Sequence, residues 1–344
     1  KPMTDARKRL AFALKTLLTV VIVVGLVWHL GKLLADNPLR SGVVAPRYAY
    51  LVAAGFLYLA CHTIWGTFFY QLLRKQDPNV RWLTAVRAYF LSQAGKYLPG
   101  KAWVLLIRVV LLRRPGLTAT GIGLAGVYET LTSMAAGAMI GATLLPWSGL
   151  VVAEGVRPEY AILAVAALPV GAVLLNRLAL RIARKTHGKD QVIVPKPPFW
   201  LLCRGLVQAS FGWLLLGLSL HLTVTGLSDV RWPLTADEFL GRTVANAIAY
   251  ISGFVAIILP GGLGVREELL QRMLSAQLSP HLGESSKAFA VVTAIVLRLV
   301  WTLFETGFAA LLWWAGRTKS PSPAPTLAVS ASPGLQSVRG AGHG

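Results

Sequence analysis

Apolar positions along this chain fall into long runs separated by short polar stretches. Six runs predict full membrane spans: about Leu10–Leu34, Tyr48–Leu73, Thr118–Leu145, the shorter Tyr160–Asn176, Phe199–Gly226 and Ser285–Gly316. Most approach or exceed the roughly 20 residues that an α-helix needs to cross a bilayer core. Two further runs, Ala88–Leu112 and Phe239–Leu274, are apolar but broken in the middle. The breaks are Pro99-Gly100 and Pro260-Gly261-Gly262-Leu263-Gly264. Each arm of the first run is only about 11 or 12 residues, too short to cross at 1.5 Å per residue. A pair of half-helices that enters and leaves on one side fits better. The pattern therefore predicts an all-α polytopic membrane domain over residues 1–316, with six spans and two re-entrant hairpins.

The two breaks repeat one phrase, Leu98-Pro99-Gly100 in the first half and Leu259-Pro260-Gly261 in the second. Each is followed by an apolar segment carrying an acid in a similar setting, Tyr128-Glu129-Thr130 and Phe304-Glu305-Thr306. Broken helices at corresponding places in two halves are the best sequence pointer to a transport site. The half-repeats are about 10–145 and 160–316, each with three full spans and one hairpin. An odd number of spans per half inverts the second half relative to the first.

Composition agrees with this reading: 55% of the 344 residues are hydrophobic and only 14% are charged, against roughly a quarter charged in a soluble domain. The net charge of +20 reflects the distribution of loops, with no aromatic-interleaved soluble domain to present a nucleic-acid surface. The N-terminal stretch, Arg74–Arg87, Arg113-Arg114, Arg177–Pro198 and the tail carry about 20 Lys and Arg, and Lys32–Arg47, Pro146–Pro158 and Leu227–Glu238 about five, so the first set faces the cytoplasm. Both termini are then cytoplasmic. The first run has a basic start but is long, and it reads as a retained span. Residues 317–344, rich in Pro, Ser, Gly and Ala, predict a disordered cytoplasmic tail.

Charges inside the apolar runs are the candidates for function. Glu129 is the lone charge in its span, where a carboxylate costs at least a few kcal/mol unless it is paired, protonated or facing water. It serves either a headgroup- or proton-linked site or a structural pair. Arg298 and Glu305 are seven residues apart on one face of the last span, about 10 Å along the axis, so each should meet a partner from another element. Arg298 suits a lipid phosphate, through its planar fork, or serves as a partner to Glu129 or to a carbonyl. Lys96 precedes the first break, and Lys101 and Arg108 follow it on one helical face. The free N–H groups of a helix starting after Pro99-Gly100, with Lys96 and Lys101 beside them, suit an anion. The glycines of the second break can form an anion-binding nest with Arg266 at its edge. Glu267 and Glu268 fit the first turn of the following helix.

Neither the two cysteines, Cys61 and Cys203, nor any Cys/His pair has metal-ligand spacing. His29, His62 and His221 read as packing or interfacial residues, and Trp28, Trp147, Trp232, Trp313 and Trp314 as interfacial belts. Nucleotide-binding and hydrolase motifs are absent. No catalytic residue, metal or cofactor is assigned.

The segments Gly95-Lys96-Tyr97-Leu98-Pro99-Gly100-Lys101 with Trp103, and Leu259-Pro260-Gly261-Gly262-Leu263-Gly264-Val265-Arg266-Glu267, resemble the two signature segments of the flippase-like membrane region of lysylphosphatidylglycerol synthetases. The resemblance covers about residues 10–316. In the full-length synthetases a soluble aminoacyl-transferase domain follows this region, whereas here a low-complexity tail does. The resemblance implies lipid translocation or headgroup binding in a bacterial cytoplasmic membrane.

The expectation is a lipid transporter, not an enzyme. Its partners are anionic or aminoacylated phospholipids, or a polyprenyl phosphate, bound between the halves through Lys96, Lys101, Arg108, Arg266 and Arg298, with Glu129 and Glu305 offsetting their charge, binding a cationic headgroup or carrying protons. The alternative is a membrane-embedded accessory or enzyme in lipid-linked glycosyl or aminoacyl transfer, working with an envelope-biosynthesis enzyme. A scaffold for an envelope complex is a third option.

Overall fold

The computed structural model describes residues 46–97, 102–145, 148, 177, 197–228, 232–255 and 264–317. The spans expected at Leu10–Leu34 and Tyr160–Asn176, most of the basic loop, the tail, Lys101, and the break residues Pro99, Gly100, Pro260, Gly261 and Gly262 lie outside these. Within the described residues the secondary structure is helical, apart from an isolated bridge between Arg114 and Leu117. The helices are α1 (Tyr48–Arg74), α2 (Trp82–Ser92), α3 (Ala102–Leu112), α4 (Ala119–Leu144), α5 (Phe199–Leu227), α6 (Ala236–Val255), α7 (Val265–Leu282) and α8 (Ser285–Arg317), with a 3-10 turn at Gln93–Tyr97 after α2.

Three of them, Tyr48–Arg74, Phe199–Leu227 and Ser285–Ala315, are long and apolar enough to cross a membrane. At 26 residues α4 is of similar length and carries Glu129 near its middle. Large apolar side chains such as Phe56, Val110, Val207, Phe211 and Leu303 are exposed on the outer faces of the helices, while Arg108, Glu129, Arg242 and Glu305 are buried inside. Apolar outside and charged inside is the reverse of a water-soluble fold, and suits a hydrocarbon surround.

Among the described helices, α1 packs most extensively against α5. On α5, Gly205, Gly212, Ser219 and Gly226 recur at every seventh position. A Cβ at Gly205 would fall 2.3 Å from Phe68, and one at Gly212 would fall 2.3 Å from the Trp65 indole and 3.1 Å from Cys61. The Ser219 hydroxyl donates to the Ala54 carbonyl at 2.8 Å, and Gly226 lies under Tyr50 and Leu51. The α1 partners are thus met in reverse order, so the helices are antiparallel. Small residues are what let two backbones approach this closely.

The loops collect at two ends. At one, the Arg74 end, Arg114 pairs with Asp77 at 2.8 Å, Gln76 donates to the Gly121 carbonyl, and Lys75 lies over the Trp200 ring. At the other, the Arg47 end, the backbone N–H of Arg47 donates to the Gly226 carbonyl and its guanidinium to the carbonyls of Thr225 and Ser228. Ser148 and Trp232 lie at the same end, against Gly241 and His281 respectively.

Between these ends two helix pairs fold back on themselves. From the Arg74 end α2 runs inward against α8: Arg87 meets Trp313, Phe90 meets Phe308, and Lys96 meets Glu305. The return arm α3 ends beside the Arg114–Asp77 pair. At Gly95 the arms come so close that a Cβ would lie 2.7 Å from the Val104 nitrogen. From the Arg47 end α6 runs inward and α7 returns, with Glu238 and His281 3.9 Å apart at the base and Tyr250 against Arg266 at the tip.

Element bounds differ from the sequence reading in two places. The first arm starts at Trp82 and not near Ala88, because Ala85, Val86 and Tyr89 bury one face despite the polar residues around them. The helix after the second break continues past Leu274 to Leu282, since Leu278 is buried, and it stops at Gly283, whose φ of 53° favours glycine.

Candidate functional site

The tips of both folded-back pairs reach the same interior region, where five helices contribute a closed circuit of ring contacts. His62 packs against Trp65 at 5.2 Å, Trp65 against Trp213 at 5.5 Å, and Trp213 against Tyr250 at 5.4 Å. The Arg266 guanidinium bridges Tyr250 and Trp301, 4.6 and 4.7 Å from their centroids. Trp301 stacks on Tyr58 at 4.9 Å, and Tyr58 returns to His62 at 4.1 Å. The indole N–H groups anchor the circuit to backbone and hydroxyl acceptors. Trp213 donates to the Ser133 carbonyl at 2.7 Å and Trp301 to the Ser219 hydroxyl at 2.9 Å. This satisfies the polar edge that a buried indole brings with it.

Glu305 lies beside this circuit with only 2% of its surface exposed. The Tyr58 hydroxyl donates to its Oε2, and the Lys96 ammonium pairs with the same oxygen. Lys96 also donates to the Tyr58 hydroxyl at 3.2 Å. Glu305 Oε1 is buried without a hydrogen-bond partner among the described residues. The expectation that Glu305 should find a partner from another element holds, and the partner comes from the turn ahead of the first break.

Glu129 and Arg108 form a second buried pair at 3.0 Å, both nearly without exposure. Arg108 Nε donates to the Ser92 hydroxyl at 3.1 Å, and its guanidinium is held between the Phe69 and Tyr89 rings at 4.6 Å from each. Arg298, open in the sequence between a lipid phosphate and Glu129, pairs with Glu267 of α7. Glu267 also accepts from the Gly264 backbone N–H at 2.8 Å, which caps α7 where Gly264 has a φ of 89°. Each returning arm is thus tied to the following long helix by one ion pair, with the signs reversed: Arg on α3 and Glu on α4, Glu on α7 and Arg on α8.

Of the predicted cations, Lys96, Arg108 and Arg298 are neutralised by carboxylates. Arg266 is held by two aromatic faces, with no salt bridge to it among the described residues. Cation–π contact leaves the N–H groups at a guanidinium's edge able to meet an anion. Among the described residues, no group of three or more His, Cys, Asp or Glu could hold a metal ion.

The sequence reading passed over Arg242, which is fully buried. It pairs with Glu238 one turn earlier, contacts the His221 ring nitrogen Nδ1, and lies 5.5 Å from the Trp232 centroid. The signal was the spacing Glu238–Arg242–Asn246 entering an apolar run. Trp232, expected at an interfacial belt, is 6% exposed and packs in this cluster. Trp313 and Trp314 are exposed, as a belt requires. No protein-family model matches the chain, and no curated protein sequence matches it.

Proposed function

We propose that this protein is a flippase-like lipid transporter of the bacterial cytoplasmic membrane, taking lipids with an anionic headgroup: a phospholipid, its aminoacylated form, or a polyprenyl phosphate. The observation that carries the reading is the convergence of Lys96 and Arg266. Each stands at the tip of a folded-back pair, the pairs enter from opposite ends, and both cations meet the stacked Tyr58 and Trp301 beside Glu305. A headgroup phosphate arriving here competes with Glu305 for Lys96 and gains the planar fork of Arg266. Glu305 offsets the charge of Lys96, which limits the cost of burying a lysine away from water, and leaves the charge of Arg266 for the headgroup.

In this reading the folded-back pairs are re-entrant hairpins and the six long runs are spans, related as an inverted repeat. The gathering of Arg74, Lys75, Arg81, Arg113 and Arg114 at one end supports a cytoplasmic Arg74 end. The resemblance of the two Leu-Pro-Gly segments to the flippase-like region supports the lipid assignment.

The test is reconstitution into liposomes with a panel of fluorescent anionic, aminoacylated and zwitterionic lipids. Transport of at least one anionic lipid above protein-free vesicles is expected, with strong loss in Arg266→Gln and partial retention in Arg266→Lys. Equal rates in the protein and in Arg266→Gln would remove this site from transport, and no transport of any lipid would remove the reading.

A further inference from the structure

Away from the aromatic circuit, α6 carries Glu238, Arg242, Asn246 and Tyr250 at four-residue steps. This spacing sets them on one winding stripe about 18 Å long at 1.5 Å per residue. Its outer end lies at the Arg47 end, where Glu238 is 3.9 Å from His281. Its inner end is Tyr250, whose ring carries Arg266.

The middle of the stripe is sealed from the surface and rich in unmatched polar atoms. Arg242 and Asn246 are both 0% exposed. Among the described residues, neither amide atom of Asn246 has a hydrogen-bond partner, nor has either amide atom of Gln277, which lies against Gly241. Trp232 Nε1 and Arg242 Nε are likewise buried without partners among the described residues. Unpaired buried groups of this kind cost a few kcal/mol each, and folded proteins satisfy them with internal water. The mixture of donors and acceptors suits water, which offers both. Full burial of Arg242 and Asn246 leaves no opening for a lipid headgroup.

We infer that this stripe is a hydrated path from the Arg47 end to the Lys96–Glu305 pair, passing water and protons but not lipid. The charged and titratable groups facing it are Glu238 and Arg242 on α6, His221 on α5 and His281 on α7. At its inner end stand Tyr250, Arg266, Tyr58, Lys96, Glu305 and His62. Glu238 offsets the charge of Arg242, so the path carries no net barrier to a proton from that guanidinium. Its role in coupling rests on the transporter reading: Glu305 exchanges protons with the Arg47 side while the headgroup competes for Lys96. The path itself does not depend on that reading.

Hydroxyl-radical footprinting of the full chain in lipid nanodiscs, read by mass spectrometry, tests it. After correction for intrinsic reactivity, buried His221 and Trp232 should be oxidised several-fold faster than Phe289, which is also buried but sits in an apolar setting. Protection of His221 equal to that of Phe289 overturns the path without any variant. In Asn246→Leu, oxidation of Tyr250 should fall several-fold while that of Trp232 is unchanged. Equal Tyr250 rates in the two proteins overturn it as well. A wet stripe in a protein that moves none of the panel lipids would keep the path and remove the transporter. Lipid transport with a dry His221 would do the opposite.

Discussion

The ammonium of Lys96 pairs with the carboxylate of Glu305 across 209 residues of sequence, joining the turn before the first break to the last long helix. Breaking it from one side leaves a nearly buried carboxylate without its cation. Lys96→Met should therefore destabilise the protein by about 3 kcal/mol, the low end for a buried pair because Lys96 is partly exposed. Lys96→Met with Glu305→Gln should recover part of the loss. Thermal unfolding in detergent reads both. A double variant no more stable than Lys96→Met alone would mean that the pair is not the source of the effect.

The Arg108–Glu129 pair should behave more steeply, since both partners are buried and Arg108 also fills the space between Phe69 and Tyr89. Arg108→Met should cost about 3–5 kcal/mol. Glu129→Gln, which keeps shape and one acceptor, should cost less. Reversal of that order in unfolding experiments would contradict the packing role of the guanidinium.

Close approach of α1 and α5 predicts an asymmetry among glycines. Gly212→Ala drives a methyl into the Trp65 indole and should lower stability by about 1–3 kcal/mol, with a shift in tryptophan emission. Gly123→Ala meets nothing within 4 Å and should be neutral or stabilising by up to about 1 kcal/mol from helix propensity.

Asp77, in the turn after α1, accepts from the Asn79 backbone N–H at 2.9 Å and from Arg114. Chiefly through the Asn79 N–H, these bonds hold its carboxyl below the ordinary 3.8 despite opposing desolvation. A carboxyl with a depressed folded-state pKa contributes stability above its unfolded value and loses it as pH falls through the folded value. Asp77→Asn should therefore be less stable than the parent at neutral pH, and the two should converge below pH 3.8. A difference that persists undiminished at lower pH would argue against the ionised form.

The ends can be assigned by labelling in intact cells. Asn79 is exposed at the Arg74 end, and Glu284 is exposed in the turn after α7, at the Arg47 end. An impermeant thiol reagent should reach Glu284→Cys from outside and Asn79→Cys only after permeabilisation. Labelling of both from the same side would dismiss the proposed orientation.

Much of this interior was visible in the sequence because charges in apolar runs stand out. Glu129, Glu305 and Arg298 were all found that way. Pairing was harder to read. Nothing in spacing alone says that Glu305 meets Lys96 while Arg298 meets Glu267, because the choice depends on which arm returns past which helix. The circuit of His62, Trp65, Trp213, Tyr250, Trp301 and Tyr58 was illegible for a related reason. It joins three side chains of α1 to single ones from α5, α6 and α8, and each aromatic residue alone reads as lipid-facing or core. Arg242 escaped notice because an acid one turn away makes it resemble an exposed helical pair.

The seven-residue recurrence of small side chains on α5 fixes which depth of α1 meets which depth of α5. Inserting a single residue in either helix would turn everything beyond it by about 100°, carrying Trp65 or Ser219 away from its counterpart. Added blocks of seven, with only about 20° of drift, keep the faces aligned, but they must enter both helices at once. α1 and α5 therefore have to keep matched lengths. A bilayer of different thickness has to be met by tilting α1 and α5 together, since neither can be stretched or trimmed alone.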